Sequence, residues 1–191
     1  MNTTAHVIKL DRAVSSTDFR SAMRHLAGAV CVITAGRGEE ITGMTVTSLT
    51  SLAIEPPSLI VSINRSTSSW PLLKRYGFFG ANILSSDQVN IAERFAGKGG
   101  LKGAERFAGA TWEARLSGVP LLADALAAIE CEIEDVIERH SHAIIIGRVL
   151  QLELSARTAA LAYWRGKYVA LDQDEDVAKL AEVGLPGRGR H

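Results

Sequence analysis

The chain has 191 residues, of which 47% are hydrophobic, 22% are charged and 6% are aromatic. Its 21 basic and 21 acidic residues cancel, and this zero net charge, with no basic-aromatic stripe, argues against nucleic acid as a partner. The longest apolar stretches, such as 143–147, are too short to span a membrane, and the N-terminus has no apolar core of signal-peptide length. The sequence therefore predicts a cytoplasmic protein of one domain with tails.

The first third of the chain predicts a short helix followed by four strands. Residues 1–14 predict an N-terminal arm, and the capping residues before Phe19 predict a helix over 17–27. β-Branched runs then predict strands at 29–35, 41–46, 49–54 and 58–64. Pro56 and Pro57 separate the last two strands, because proline cannot donate a ladder hydrogen bond.

The rest of the chain predicts two more short helices between strands. Ser68 or Ser69 caps a helix with Pro71 in its first turn, and Ser86 or Asp87 caps one that runs to about residue 96. Further strands are predicted at 78–84, 126–138, 142–154, 159–163 and 167–171.

Three local patterns complete this survey. Residues 97–111 contain five glycines, with Lys98, Lys102 and Arg106 among them, and predict a mobile loop outside the core. Glu130, Glu132 and Glu134 alternate, so they share one strand face, which we expect to be solvated. Cys31 and Cys131 lie in apolar runs without metal-ligand spacing, which predicts buried thiols and no metal site.

The order of elements favours a mainly β fold with short helices. An antiparallel barrel explains many strands with few helices better than a doubly wound βαβ sheet does. No GxGxxG follows a strand, which argues against a Rossmann dinucleotide site. We predict one domain over 15–171 and a tail over 172–191, partly disordered or packed on a partner subunit.

The segment 42–51 carries the strongest functional pattern. Thr45, Thr47, Ser48 and Thr50 lie in a β-prone run that ends before a proline pair. Hydroxyls concentrated at one strand end suit a polar planar group or a phosphate, the alternative being a solvent-facing edge strand. This arrangement resembles the T-x-S-S motif and Pro-Pro pair of the small flavin reductases that supply reduced flavin to two-component monooxygenases, and the resemblance covers about residues 18–171.

The resemblance implies an FMN-binding split β-barrel of Greek-key character, a homodimer with flavin near the subunit interface. It implies that the isoalloxazine and the ribityl-phosphate arm contact Thr45, Val46, Thr47, Ser48 and Leu49. The serine-rich loop before a helix start suits an anion in its own right. In the family it completes the flavin phosphate pocket, which makes Ser62, Asn64, Arg65, Ser66 and Ser68 candidates.

Two further motifs extend the resemblance. The pattern F-x-x-N-x-L with a following Q and F-A is matched by Phe79, Asn82, Leu84, Gln88, Ala92, Phe95 and Ala96. Asn82 either satisfies backbone groups or lies beside the flavin, Phe95 is core or lid, and Phe107 and Trp112 bracket a lid over the nicotinamide. The terminal hairpin is either a structural hairpin with exposed basic residues or part of the site. In the second case the resemblance places Tyr163, Arg165 or Tyr168 at the mouth of the site, where Arg165 or Lys167 can contact phosphate.

His142 is the candidate catalytic residue. It opens an apolar strand that continues to Gly147-Arg148-Val149, as in the family pattern G-D-H, strand, G-x-V. His140 and Ser141 replace the usual Gly and Asp, so His140 competes for the role. The resemblance implies that this histidine orients the nicotinamide or donates a hydrogen bond to its amide; a plain polar strand end is the alternative.

The implied activity is that of an NAD(P)H:flavin oxidoreductase. Hydride passes from NADH or NADPH to FMN or FAD when the reacting atoms lie about 3–3.5 Å apart, without a protein nucleophile. Reduced flavin then reaches an oxygenase partner. The alternatives are a flavin- or haem-binding carrier or sensor without turnover, or a reductase acting on another acceptor such as a corrinoid.

Overall fold

The computed structural model describes residues 13–172, which form twelve strands, three α-helices and one 3₁₀ helix. The helices are α1 (Ser16–Met23), α2 (Ser69–Tyr76), α3 (Val89–Phe95) and the 3₁₀ helix (Gly103–Phe107). The strands are β1 (Gly28–Ala29), β2 (Cys31–Arg37), β3 (Glu40–Val46), β4 (Thr50–Ile54), β5 (Pro57–Asn64), β6 (Phe78–Ile83), β7 (Trp112–Ala114), β8 (Pro120–Leu122), β9 (Ala127–Arg139), β10 (His142–Leu154), β11 (Ala160–Trp164) and β12 (Lys167–Leu171).

The strands form three sheets in which every pair is antiparallel. The main sheet has the order β3-β2-β6-β9-β10-β5-β4, and smaller sheets have the orders β1-β11-β12 and β7-β8. The predicted mainly β, antiparallel fold with short helices is therefore confirmed. Strands β3 and β4 are the two edges of the main sheet, and the chain passes directly from one to the other.

Strand β2 is buried on both faces, which divides the core in two. Ile33 and Ala35 belong to a cluster that includes Phe79 of β6 and α2 residues. Val32, which points to the opposite side, packs in a cluster with Phe95 of α3 and residues of β8 and β11. Because side chains alternate along a strand, the consecutive buried residues from Cys31 to Ala35 need cover on both faces. Helices α2 and α3 provide it.

The sequence predicted that the glycine-rich segment 97–111 lies outside the core. The structure shows that part of it is buried. Its 3₁₀ helix ends at Phe107, which is 7% exposed and packs with its ring centroid 5.1 Å from that of Phe95. Trp112 adds a third ring, 4.9 Å from Phe107, and begins the short strand β7, which the sequence did not predict. An aromatic cluster thus anchors this segment: Phe107 is a core residue, and the partly buried Trp112 packs against the same cluster.

Helix α1 ends at Met23, earlier than the predicted 27, with Arg24 as its C-cap. The predicted arm at 1–14 and tail at 172–191 lie outside the described residues, apart from residues 13–14 and 172. Cys31 and Cys131 are buried free thiols, as predicted, and burial raises the pKa of each to about 12. Within residues 13–172 no helix has the length and apolar character needed to cross a membrane.

The prediction that three glutamates share a solvated strand face is wrong for Glu130. Its side chain is fully buried, and its carboxylate accepts hydrogen bonds from the Leu116 and Ser117 backbone N–H groups, the Ser117 hydroxyl and the Gln151 amide. The loop between β7 and β8 covers this end of β9. Glu132 and Glu134, farther along the strand, pair at the surface with Arg148.

We expect Glu130→Ala to lower the free energy of unfolding by about 2–4 kcal/mol, because buried donors lose their acceptor. Glu134→Ala is the matched control, since this exposed residue lies on the same strand; its effect should stay within about 0.5 kcal/mol. Urea unfolding of both variants measures the difference. Equal losses would contradict a structural role specific to Glu130.

Candidate functional site

A cavity of about 520 Å³ opens where β3 ends and α2 begins. This volume suits an organic cofactor, since ligand pockets usually measure about 300–1,000 Å³. Its walls combine hydroxyl, backbone and apolar groups, and none of the lining residues is acidic. The lining residues are Gly43, Met44, Thr45, Val46, Thr47, Ser48, Ser62, Asn64, Thr67, Ser68, Ser69, Phe95, Ala96, Arg106 and His142.

The end of β3 forms one wall, and two hydroxyls fix its position. The Thr45 hydroxyl donates to the Ala92 carbonyl oxygen of α3 at 2.6 Å. The Ser48 hydroxyl donates to the Ser62 carbonyl oxygen of β5 at 2.8 Å. Thr47 lies between them and is exposed. The predicted segment therefore lines the cavity from Thr45 to Ser48, whereas Leu49 packs against the core cluster of β2.

The turn from β5 into α2 forms a second wall. The Asn64 side-chain oxygen accepts hydrogen bonds from the Ser66 N–H at 3.0 Å and from its hydroxyl at 2.9 Å. The Thr67 hydroxyl donates to the Asn64 carbonyl oxygen at 2.8 Å. The Ser68 hydroxyl lies 3.2 Å from that of Thr42 on β3. These bonds hold the start of α2 against β3. In the first turn of this helix the Trp70 N–H is bonded to the Thr67 carbonyl oxygen and Pro71 has no N–H, so few backbone donors are left there.

Ser69 is the most unusual polar residue of this wall, and the sequence marked it only as a possible cap. It is 1% exposed, it lines the cavity, and its hydroxyl has no hydrogen-bond partner within residues 13–172. Buried hydroxyls in native proteins are nearly always paired. The Ser69 oxygen itself has less than 1 Å² of accessible surface, so this hydroxyl is an unsatisfied buried donor next to the cavity and is not exposed to it.

His142 and not His140 reaches the cavity. His142 opens β10 opposite Asn64, and its Nδ1 lies 2.9 Å from the Ser141 hydroxyl. His140 lies in the turn before it, with a φ of 51°, and its carbonyl accepts a hydrogen bond from Arg65 at 2.7 Å. The β9–β10 hairpin therefore presents His142 to the site and turns His140 away from it.

Arg106 is a lining residue to which the sequence gave no role. Its Nε donates to the Leu101 carbonyl oxygen at 2.9 Å, and its Nη1 donates to the Gly43 carbonyl oxygen at 2.7 Å. Among the residues that line the cavity, Arg106 carries the one permanent charge. The available signal was a basic residue next to an apolar one, Phe107, within a glycine-rich segment.

Asn82 and Gln88 do not line the cavity, although the resemblance placed both at the flavin. The Asn82 amide donates to the Val32 carbonyl oxygen at 3.0 Å and accepts from the Leu122 N–H at 2.7 Å. The Gln88 amide accepts from the Ser85 N–H at 3.0 Å and donates to the Asp124 carbonyl oxygen at 2.9 Å. Both side chains are buried, and all of these hydrogen bonds are to backbone groups.

Arg65 and Ser66 also point elsewhere. Arg65 forms an ion pair with Glu138 on β9, and Ser66 bonds to Asn64 within the turn. Arg165 lies in the β11–β12 turn, with a φ of 50° and its guanidinium 5.1 Å from the Trp164 ring. None of the three residues lines the cavity.

Tyr163 and Tyr168 line a second, smaller cavity of about 220 Å³. Their ring centroids lie 5.3 Å apart in an edge-to-face arrangement. This cavity shares Thr45, Val46, Thr47 and Ala96 with the first, so the two cavities adjoin along the end of β3. The predicted position of both tyrosines at the mouth of the site is compatible with this placement.

Residues 23–172 match the family model described as flavin reductase like domain. FMN reductase (NADH) RutF of Pseudomonas syringae pv. syringae (strain B728a) is 34% identical over 166 residues, which cover 87% of this chain and 92% of the relative. The reductase component of an FADH2-dependent resorcinol hydroxylase from Rhizobium sp. (strain MTP-10005) is 37% identical over 155 residues, 80% of this chain and 86% of the relative. A solved structure, the NADH:FAD oxidoreductase SgcE6 of Streptomyces globisporus C-1027 in complex with NAD and FAD fragments, aligns with a TM-score of 0.75 at 27% identity, over 86% of this chain and 99% of that one.

Proposed function

Because the chain belongs to the flavin reductase like family, we propose that it is an NAD(P)H-dependent flavin reductase of split-barrel fold. It catalyses hydride transfer from reduced nicotinamide to FMN or FAD, and the reduced flavin serves a monooxygenase component. The relatives named as an NADH-dependent FMN reductase and as the reductase component of a hydroxylase support this function. The observation that carries it is the acid-free, hydroxyl-lined cavity between β3 and α2.

We propose that this cavity holds the flavin. Apolar groups for the ring faces come from Met44, Val46 and Phe95, while the hydroxyls of Thr47 and Ser48 lie beside them. Ser62, Asn64 and Ser68 lie at the α2 end of the cavity, where the positive end of the helix dipole favours an anionic group.

Catalysis by this chain is a matter of positioning. Bound FMN or FAD supplies the redox chemistry by accepting a hydride from the nicotinamide. The hydrogen bonds from Thr45 to Ala92 and from Ser48 to Ser62 hold the flavin wall rigid. His142, on the neighbouring hairpin, orients the nicotinamide by a hydrogen bond to its amide. No nucleophile is needed, and the described residues contain no group of three His, Cys, Asp or Glu arranged for a metal.

We also propose that the enzyme is a homodimer in which β4 is covered by the second copy. All five residues of this edge strand are exposed, including Leu52 at 48% and Ile54 at 87%. Native proteins cover or charge an apolar sheet edge, since it otherwise invites aggregation. Residue 50 follows closely on Ser48, so the interface would lie beside the cavity.

The reducing chemistry and the two free thiols suit the cytoplasm as the proposed location.

The activity is tested by mixing the purified protein with NADH or NADPH and with FMN or FAD. We expect nicotinamide absorbance to fall only when flavin is present, with many flavins reduced per protein. Flavin that binds without nicotinamide oxidation would instead indicate the carrier without turnover, and the enzymatic proposal would be abandoned.

His142→Ala should raise KM for NADH by about 2- to 10-fold, the loss of one hydrogen bond, and leave the flavin Kd nearly unchanged. His140→Ala provides the comparison, since its imidazole does not line the cavity. Steady-state kinetics and a flavin titration measure the two quantities. A larger KM effect in His140→Ala than in His142→Ala would reverse the assignment.

The dimer is tested with Leu52→Glu and Ile54→Glu, measured by light scattering after gel filtration. We expect the unaltered protein to have twice the chain mass and the variants to dissociate while remaining folded by circular dichroism. Leu116→Glu is the control, because Leu116 is 75% exposed on a different element. A dimer that persists in both β4 variants would show that the interface lies elsewhere.

A further inference from the structure

A separate cavity of about 370 Å³ lies between α2 and β9, and none of its lining residues lines the proposed flavin cavity. Its volume falls within the range of about 300–1,000 Å³ that small-molecule pockets usually have. The Gly77 carbonyl oxygen accepts a hydrogen bond from the Ile133 N–H at 2.8 Å, which ties α2 to β9 at the end of the helix. The residues that line this space, the α2–β9 cavity, are Trp70, Leu73, Lys74, Gly77, Ile133 and Val136.

A β-bulge in β9 shapes one wall of the α2–β9 cavity. Ile133 and Asp135 lie opposite two consecutive residues of β10, 147 and 146, so Glu134 is an extra residue in the ladder. Side chains alternate along a regular strand, so residues three apart would point to opposite faces. The extra residue brings Ile133 and Val136 to the same face, and both line the cavity.

Two hydrogen-bond donors beside this cavity have no protein partner. Trp70 is 7% exposed, and its indole N–H has no hydrogen-bond partner within residues 13–172. The indole nitrogen is not among the unpaired atoms that are sealed from solvent, so a small molecule can reach it. Lys74 forms no ion pair with an acidic residue of the same range, and its ammonium lies 5.0 Å from the centre of the Trp70 ring. Since polar groups in native interiors are nearly always paired, these neighbouring donors indicate an acceptor from outside the chain.

An aromatic carboxylate matches this arrangement. Its ring would pack against Leu73, Ile133 and Val136, while its oxygens would accept from the Trp70 indole and the Lys74 ammonium. None of the lining residues is acidic, so no group of the wall repels the anion. A neutral apolar molecule would leave both donors unpaired, and a small anion without a ring would leave the apolar walls in contact with water.

Helix α2 connects this cavity with the proposed flavin cavity. Ser68 and Ser69, at the start of the helix, line the flavin cavity, and the next residue, Trp70, lines the α2–β9 cavity. Leu73 of the same helix packs in the core cluster that contains Ile33 of β2. A ligand that packs against Trp70 and Leu73 therefore acts on the helix that also forms a wall of the flavin cavity.

We propose that the α2–β9 cavity binds a small aromatic carboxylate, and that its occupancy changes the affinity for flavin through α2. The coupling is reciprocal, because two linked sites alter each other's affinity by the same factor. The coupling rests on the proposed function, whereas the existence of the second site does not.

Isothermal titration calorimetry with benzoate as the probe tests the site. We expect one benzoate to bind per chain. Benzyl alcohol has the ring without the charge, and acetate has the carboxylate without the ring. Each should bind at least about tenfold more weakly than benzoate, because it loses either the charge-assisted bonds or the apolar contacts.

Two variants place the probe in the cavity. Lys74→Gln should weaken benzoate binding about 3- to 10-fold by removing a charge-assisted bond, and this exposed position should not affect folding. Val136→Phe should weaken it about tenfold or more by filling the cavity. Arg75→Gln is the matched control, since Arg75 is the next residue of α2, pairs with Glu40 and does not line the cavity. Its benzoate affinity should change less than about twofold.

The coupling is tested by FMN titrations at increasing benzoate concentration. Two linked sites predict a Kd for FMN that changes about fivefold and then reaches a plateau once benzoate saturates its site. In Lys74→Gln the same plateau should be reached at a higher benzoate concentration. Benzoate that enters the flavin cavity would instead raise the Kd for FMN in proportion to its concentration, without a plateau.

Such competition would overturn the inference. Absence of benzoate binding, binding that neither Lys74→Gln nor Val136→Phe weakens, and binding that leaves the Kd for FMN unchanged would each do the same. A dimer that dissociates in Val136→Phe would show that a second copy of the chain covers the cavity, which also contradicts the inference. None of these results bears on the proposed function, which is tested by NADH oxidation with FMN in the absence of benzoate.

Discussion

The whole site depends on the burial of β2 on both of its faces. Ile33 packs toward α2 and Val32 toward α3, so the two helices are fixed on opposite sides of one strand. The neighbouring edge strand β3 then ends between them. Because protein interiors are close-packed, a shift of either helix would be felt along β3. The packing of the core therefore keeps the cavity wall rigid.

A second constraint is the absence of negative charge from the cavity walls. Flavins and nicotinamide nucleotides both carry phosphate, and a carboxylate in the wall would repel them. Hydroxyls and Arg106 supply donors, while Met44, Val46 and Phe95 supply apolar surface. Walls of this composition suit an anionic planar molecule that carries out the electron chemistry itself.

Several buried polar side chains serve the backbone and not a ligand, and they explain where the sequence misled. Asn82, Gln88 and Glu130 each accept from backbone N–H groups that lie outside a ladder. In the sequence, a polar residue inside a strand that binds a cofactor cannot be distinguished from one that hydrogen-bonds the backbone of a neighbouring loop. Glu130 bonds to the loop of residues 115–118, which lies more than ten positions away in the chain. No local sequence pattern predicts this contact.

The sequence alone determined most of the strands, the positions of the helices Ser69–Tyr76 and Val89–Phe95, and the hydroxyl segment from Thr45 to Ser48, because alternation and turn chemistry act between residues close in the chain. It did not predict the short strands β1, β7 and β8, and the capping bonds it predicted are wrong, since neither helix has a side-chain cap bond and α3 has Gln88 as its N-cap. Tertiary structure decided which polar groups meet. Arg106 reaches Gly43 across 63 positions, and the Ser69 hydroxyl is buried without a partner among the described residues. Such contacts depend on how elements distant in the chain pack together. Residue patterns within one segment contain no information about that packing.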